Sequence, residues 1–327
     1  MKVRLGLFPS LLVAGLLVSV LPVRAAVEGH FDRTLTVSGL VDLEVETGSG
    51  SIAIHPGSAD KVEIHASIRA SSGWHVSDSE AEAKVHSLES NPPIVQDGNT
   101  IRVGHIEDKD LSHNISITYE LVVPAATHLR TQSGSGSQTI QGIEGPVDSN
   151  TGSGTLKISE IGKEVRARTG SGSIEVDSVH SSLRASTGSG SIRALGIAGG
   201  LNASTGSGSV KLEQTAPGDV EVSTGSGGIE LAGVKGSIHV STGSGSIRAE
   251  GEPAGEWRLR TASGSVTVRL PEQAAFDVEA RTSSGHIESS HPITVQGTIS
   301  PRELRGKARG GGPLLELSTS SGNIHIE

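Results

Sequence analysis

The feature that most constrains this chain is a tetrapeptide, T-G-S-G, that recurs at a nearly fixed interval. It begins at Thr47, Thr151, Thr169, Thr187, Thr205, Thr224 and Thr242, with variants at Ser133, Thr261, Thr282 and Thr319. From Ser133 to Thr261 the steps are 18, 18, 18, 18, 19, 18 and 19 residues, followed by 21 and 37. A flexible low-complexity linker has no reason to keep such a register, whereas a stack of identical coils must keep it.

Between tetrapeptides the chain alternates as β-strands do, apolar residues to one side and polar to the other. One inward column reads Leu156, Ile174, Ile192, Val210, Ile229, Ile247, Val266, and the next Ile158, Val176, Ala194, Leu212, Leu231, Ala249, Val268. On the return strand the columns read Val165, Leu183, Leu201, Val220, Ile238, Trp257, Phe276 and Ala167, Ala185, Ala203, Val222, Val240, Leu259, Val278. Each coil offers about five apolar side chains, too few to fold alone, so the coils must stack into one continuous core. The expected fold is all-β: a parallel β-solenoid, β-helix-like, of 18–19 residues per coil, with parallel crossovers favouring a right-handed coil.

Within the tetrapeptide, the fourth position is Gly in all eleven copies: Gly50, Gly136, Gly154, Gly172, Gly190, Gly208, Gly227, Gly245, Gly264, Gly285 and Gly322. The second position accepts Ala262, Ser283 and Ser320. A position that never carries a Cβ is left-handed or otherwise closed to side chains, so a tight corner with structural turn glycines is expected there. The Thr and Ser hydroxyls are expected to bond turn backbone or to stack in ladders. Outside the core, Lys157, Glu175, Arg193, Lys211, Glu230, Arg248 and Thr267 form an outward column of mostly alternating charge, read as a solvated face.

Three stretches depart from the repeat. Residues 1–25 read as a signal peptide: Lys2 and Arg4, an apolar run from Leu5 to Leu21, and Val23-Arg24-Ala25 before a cleavage point after Ala25. An uncleaved membrane anchor is the alternative. Residues 26–130 read as an N-terminal cap, forming one structural unit with the repeat solenoid of residues 131–327. In this cap Val62–Ile68 and Ile115–Leu121 alternate as strands, and residues 79–90 are expected to be a helix. Ser79 and Glu82 give it a capping-box spacing, Ala81, Val85 and Leu88 an apolar stripe, and Asn91-Pro92-Pro93 a stop. Near the C-terminus Ser300–Pro313, with Arg302, Arg305, Lys307 and Arg309, reads as a solvated loop with some capacity for an anion.

Composition narrows the function. With no cysteine there is neither a disulfide framework nor a lipid-anchor cysteine. The formal net charge is −9, and cleavage would remove Lys2, Arg4 and Arg24 and no acid, which argues against nucleic acid and anionic membrane surfaces as partners. Aromatics make up 2% of the chain, so stacking on sugars has only Trp74, Trp257 and Tyr119 to draw on. A polysaccharide lyase or hydrolase on a β-helix needs gathered carboxylates or calcium ligands. Here Asp148, Asp177, Asp219 and Asp277 are read as falling in different columns, and the 13 His are scattered. No catalytic, cofactor or metal residues are assigned. An ice- or mineral-binding Thr/Ser ladder is a third class, disfavoured by the glycine pair that signals a bend.

Taken together, the T-G-S-G-S-I coils, the segment Tyr119-Glu120-Leu121-Val122-Val123-Pro124 before them, and Gly310-Gly311-Gly312-Pro313 ahead of Leu315–Ile324 resemble a known family. It is the bacterial putative-adhesin domain family of unknown function, similar to the head domain named for auto-transporter adhesins. The resemblance covers nearly all of the chain after residue 25. It implies a β-solenoid outside the cytoplasm and brings no catalytic residues. The chain has no membrane barrel of an auto-transporter, so self-secretion is not implied. The expectation is an exported, non-catalytic, adhesin-like scaffold in the periplasm, on the cell surface or secreted. Its partner would be an envelope or surface glycan or protein, with no stable membrane insertion after signal cleavage.

Overall fold

The computed structural model describes residues 26–71, 77–295 and 300–327, so the signal-peptide reading and Trp74 lie outside the described residues. The fold is a β-solenoid of two long sheets, one of 14 strands and one of 15. Each regular coil contributes one strand to each. In the Thr169 coil, Val165–Ser171 belongs to the 15-stranded sheet and Ile174–Val179 to the 14-stranded sheet. Successive coils pair in parallel and in register, Leu156 with Ile174 with Ile192 on one sheet and Ala167 with Ala185 with Ala203 on the other.

The core is the narrow space between the sheets. A middle coil fills it with Ile174, Val176, Val179, Leu183 and Ala185, all buried, which leaves no room for aromatics. The large side chains collect toward the two ends. Phe31 meets Tyr119 edge-on at 6.4 Å under the N-terminal cap, and Phe276 meets His291 at 5.4 Å under the C-terminal one. Trp257 is fully buried and donates its indole N–H to Gly236 O at 2.9 Å.

At the N-terminal end, β1 (Val27–Thr36), β2 (Val41–Ser49), β3 (Ile52–Gly57) and β4 (Lys61–Ala70) precede the first helix. After it come β5 (Ile94–Asp97), β6 (Thr100–Val103) and β7 (Ile115–Pro124). β2 and β3 form a true coil beneath the Ser133 coil despite the 86 residues between their tetrapeptides. The chain between them folds back: β7 slides under β3, and β4 and β1 add antiparallel strands outside it. Helix α1 (Asp78–Ser90) buries Ala81, Val85 and Leu88 as the stripe requires. Its cap is Ser77, whose hydroxyl accepts from Glu80 N, not Ser79; the helix starts two residues earlier than the spacing of Ser79 and Glu82 indicates.

At the C-terminal end spatial order departs from chain order. The last coil, Leu314–Ile326, is inserted between the Thr261 coil and the Thr282 coil, so Trp257 pairs with Leu315, which pairs with Val278. The column reading that put Phe276 level with Trp257 is therefore two residues out of register; the strand Phe276–Ser284 is longer by two residues at its start. Segment 300–313 is not a loop. Glu303–Ala308 is a strand, antiparallel both to Phe276–Ser284 and to Ile293–Val295. It lies between those two strands near the end of the 15-stranded sheet, and its cations face acids: Arg305 with Glu279 at 3.3 Å and Lys307 with Asp277 at 3.6 Å.

Candidate binding face

The tetrapeptide builds one corner of every coil. Its Thr points inward and is almost fully buried, and its hydroxyl donates to the fourth-position carbonyl of the coil below. Thr169 bonds Gly154 O at 3.1 Å, Thr187 bonds Gly172 O at 2.9 Å, Thr205 bonds Gly190 O at 2.9 Å, and Thr319 bonds Gly264 O across the inserted coil at 2.9 Å. Only the serines of the third position face solvent, so the two hydroxyls do not form a common exposed Thr/Ser ladder of the ice-binding kind.

The fourth-position glycines share a close approach. A Cβ on any of the eleven would fall 1.8–2.3 Å from a backbone carbonyl oxygen of the neighbouring strand. Eight of them, Gly50 and the seven from Gly190 through Gly322, also have φ between +127° and +156°. Gly136, Gly154 and Gly172 are not in the positive-φ region, so crowding is the common requirement. The second position is crowded too, less severely, at 2.4–2.7 Å from Gly134 to Gly243. The three copies with a Cβ there, Ala262, Ser320 and Ser283, occupy adjacent coils at one end of the stack.

Left-handed residues mark the opposite corner instead: Gly142, Glu160, Ser178, Gly196 and Gly233 have φ of 57–69°. This well tolerates a Cβ at a modest cost, as Glu160 and Ser178 show. The kink it makes turns Ile161, Val179, Ile197 and Val234 inward, a third apolar column that strict two-residue alternation does not reveal.

The acids and imidazoles do not converge. Among the described residues no group of three His, Asp or Glu is placed to hold a metal ion. Asp219 and Asp277 share a strand position but lie four coils apart.

An open groove of about 660 Å³ lies on the outside of the 15-stranded sheet and crosses five coils. Its floor is an outward column in register, Arg166, Arg184, Asn202, Glu221 and His239. Along one wall Ser237, through its hydroxyl and its amide (N···O 3.2 Å), holds the Asp219 carboxyl below the usual aspartate range. Asn202 donates to Glu221 at 2.7 Å, and Arg166 approaches Glu164 at 3.4 Å. Arg184 has no ion pair among the described residues. On the opposite sheet Lys157–Glu175 at 3.8 Å and Lys211–Glu230 at 2.9 Å pair within the column, and Lys211 holds the Glu230 carboxyl below its ordinary value. Both outer faces keep cations outside any ion pair among the described residues, Arg193 and Arg248 on the one and Arg130 and Arg184 on the other, and the 660 Å³ groove lies on the second. The column on the 15-stranded sheet has the same periodicity in the sequence as the charged column on the 14-stranded one.

No curated protein matches the chain. Among solved structures, a "putative cell adhesion protein" from Clostridium sporogenes is similar at 12% identity, covering 91% of this chain and 99% of that one, with a TM-score of 0.28. A "putative adhesin" from Bacteroides fragilis is similar at 12% identity, over 91% and 97% of the two chains, with a TM-score of 0.31. One from Parabacteroides distasonis shows 9% identity over 91% and 97%, with a TM-score of 0.28. The coils from the Ile197 corner to the last residue, residues 197–327, match the model of a family described as Toastrack DUF4097.

Proposed function

We propose that this protein is an exported, non-catalytic, adhesin-like scaffold whose binding face is the grooved outer side of the 15-stranded sheet. The observation that carries the reading is the groove itself. It is shallow, open and polar, and it runs along the rod across five coils, a shape that suits an extended partner rather than an enclosed small molecule. A rigid stack presents such a face at low entropic cost, since its backbone is already ordered by parallel pairing on both sides. Export rests on residues 1–25, and no helix among the described residues is long and apolar enough to cross a membrane. The partner is an envelope or surface component, a glycan or a protein.

Two experiments test this. N-terminal sequencing of the protein recovered from outside the cytoplasm is expected to begin at Ala26; retention of residues 1–25 in the cytoplasm removes the export reading. Binding of the purified protein to envelope glycans and envelope proteins is expected to be weakened by Arg184→Glu and unchanged by Glu175→Gln on the opposite sheet. Hydrolysis or lyase activity on a polysaccharide, with no such binding, would favour an enzyme instead.

A further inference from the structure

The outward column of the grooved sheet has an order that its neighbours lack. Taken from Asn202 toward the two ends of the rod, one coil away lie Arg184 and Glu221. Two coils away lie Arg166 and His239, three away Asp148 and Arg258, and four away Arg130 and Glu316. At three of these four distances the two sides carry opposite charge; at the remaining one an arginine stands opposite an imidazole. A column that changes sign about its midpoint is complementary to itself turned end for end. We propose that this face pairs with the same face of a second copy of the chain, the two rods antiparallel and related by a two-fold axis parallel to the strands at Asn202.

Such a contact is isologous, so every pairing occurs twice. Arg184 of each copy faces Glu221 of the other, Asp148 faces Arg258, and Arg130 faces Glu316. The centre of the face suits close approach. The adjacent outward column there is Ser186, Ser204, Ser223 and Ser241, four small uncharged residues flanked by Arg168 and Arg260. The matching ends at the fifth coil, where Glu44 would meet Glu279. Those two are already engaged within the chain, with Arg102 at 3.6 Å and with Arg305 at 3.3 Å. Three of the matched charges are freer: neither Arg130 nor Arg184 forms an ion pair among the described residues, and Glu221 accepts only from Asn202. Asp148, Arg258 and Glu316 do have local partners, Arg168 for Asp148 at 3.6 Å, Glu256 and Glu316 for Arg258 at 2.6 Å, and Arg260 as well for Glu316, which the contact would have to share. From Arg130 to Glu316 the patch is about 40 Å long and about 17 Å wide, taking ~4.8 Å per coil and ~3.3 Å per residue. That is roughly 650 Å² on each copy, within the range of specific interfaces.

This inference rests on the binding-face reading and names the partner of that face. The test is sedimentation equilibrium of the purified protein with charge-reversed variants, each first checked for an unchanged thermal transition. The wild-type protein is expected to dimerise, more weakly as salt rises. Arg184→Glu alone and Glu221→Arg alone each set like charges together twice and are expected to weaken the dimer at least about tenfold. Mixing the two variants restores opposite charges at both contacts and is expected to give a heterodimer. The double variant, with its signs exchanged, is expected to dimerise with itself. Ser204→Cys, close to the axis in a chain without cysteine, is expected to cross-link through a short bis-maleimide, whereas Glu175→Cys is not. A wild-type protein that stays monomeric to about 1 mM, or a mixture no tighter than either variant alone, overturns the proposal. If Arg184→Glu nevertheless weakens binding to an envelope component, the second copy is the wrong partner and the binding face stands. If it affects neither, both readings fall.

Discussion

Exchanging glycine for alanine at the two glycine positions of one tetrapeptide separates crowding from chemistry. In Gly208→Ala the new Cβ would lie 2.0 Å from Gly190 O and 2.6 Å from its carbonyl carbon, where real contacts do not fall below 3.0 Å. The obstacle is backbone of the coil below, so the two coils must separate by about 1 Å at this corner. Three bonds cross there: Gly190 N to Ser207 O at 2.9 Å, Ile192 N to Ser209 O at 3.0 Å, and Thr205 Oγ1 to Gly190 O at 2.9 Å. Stretched by that much they cease to be hydrogen bonds, and at about 1 kcal/mol net for each the cost is about 3 kcal/mol. The residue's φ of +151° adds strain for any side chain. In Gly206→Ala the Cβ lies 2.5 Å from Gly188 O, half the overlap, and Ala262 already occupies the equivalent position of its own coil. Its cost should be about 1 kcal/mol or less. Both changes reduce the freedom of the unfolded chain alike, so that contribution cancels from the difference. Hydrogen exchange at the amides of Gly190 and Ile192 reads the local opening without assuming that a long stack unfolds in one step. Exchange should quicken at least about tenfold more in Gly208→Ala than in Gly206→Ala. Equal protection in the two variants would refute the crowding argument.

Three further outcomes follow from single contacts. Thr205→Val keeps the shape of the side chain but removes the donor to Gly190 O, and should destabilise by about 1 kcal/mol in urea unfolding. Tyr119 has a fully buried hydroxyl with no partner among the described residues, and burial raises its pKa well above the ordinary tyrosine value. Tyr119→Phe should therefore leave the melting temperature unchanged or raise it, whereas a drop of several degrees would mean that the hydroxyl is satisfied. The Glu316 carboxyl is held below its ordinary value by Arg260 first and then by Arg258. Its contribution to stability is full above about pH 4.3, the unfolded value, and is lost as the pH falls toward the lower folded value. Thermal unfolding of Glu316→Gln should match the wild type more closely at acid pH than at neutral pH; the same gap at both would remove this role.

What the sequence reveals is what repeats. Parallel pairing in register forces each column to carry one kind of residue, so Leu156 through Val266 can be identified by counting. The N-terminal helix is legible for a related reason, because Ala81, Val85 and Leu88 form a stripe of their own. The inserted C-terminal coil is not legible. T-S-S-G at Thr319 and T-S-S-G at Thr282 are equivalent as text, and either would stack on T-A-S-G at Thr261. What distinguishes them lies outside the repeat, in the strand Glu303–Ala308, whose cations fit the acids of Phe276–Ser284 and hold that coil at the outer end. Segment 300–313 reads as a loop because glycine and arginine dominate its composition, while the acids that its strand faces are more than twenty residues earlier. The groove has no motif in the sequence; it exists only once Arg166, Arg184, Asn202, Glu221 and His239 stand in line.

The two ends of the rod bear on how such a molecule associates. A stack of parallel coils invites growth at its open edges, since each unpaired strand is a template for another. Here those edges are obstructed. Three of the four edge strands have only three or four residues: Ile94–Asp97, Ile287–Ser289 and Ile293–Val295. The long one, β1, has its backbone met by side chains: Glu89 of α1 accepts from His30 N at 3.0 Å, Gln96 donates to Thr36 O at 2.9 Å, and Arg33 donates to Asp32 O at 2.8 Å. An incoming strand would have to displace all three bonds before gaining its own. End-to-end growth is thereby disfavoured, while the sides of the rod stay open. Each side keeps two arginines outside any ion pair among the described residues, Arg193 and Arg248 on the 14-stranded sheet and Arg130 and Arg184 on the 15-stranded sheet; the column of the 15-stranded sheet is the one whose signs reverse about an uncharged midpoint, Asn202. With end-on growth obstructed, the proposed pairing of the grooved faces about a closed two-fold stops at two copies.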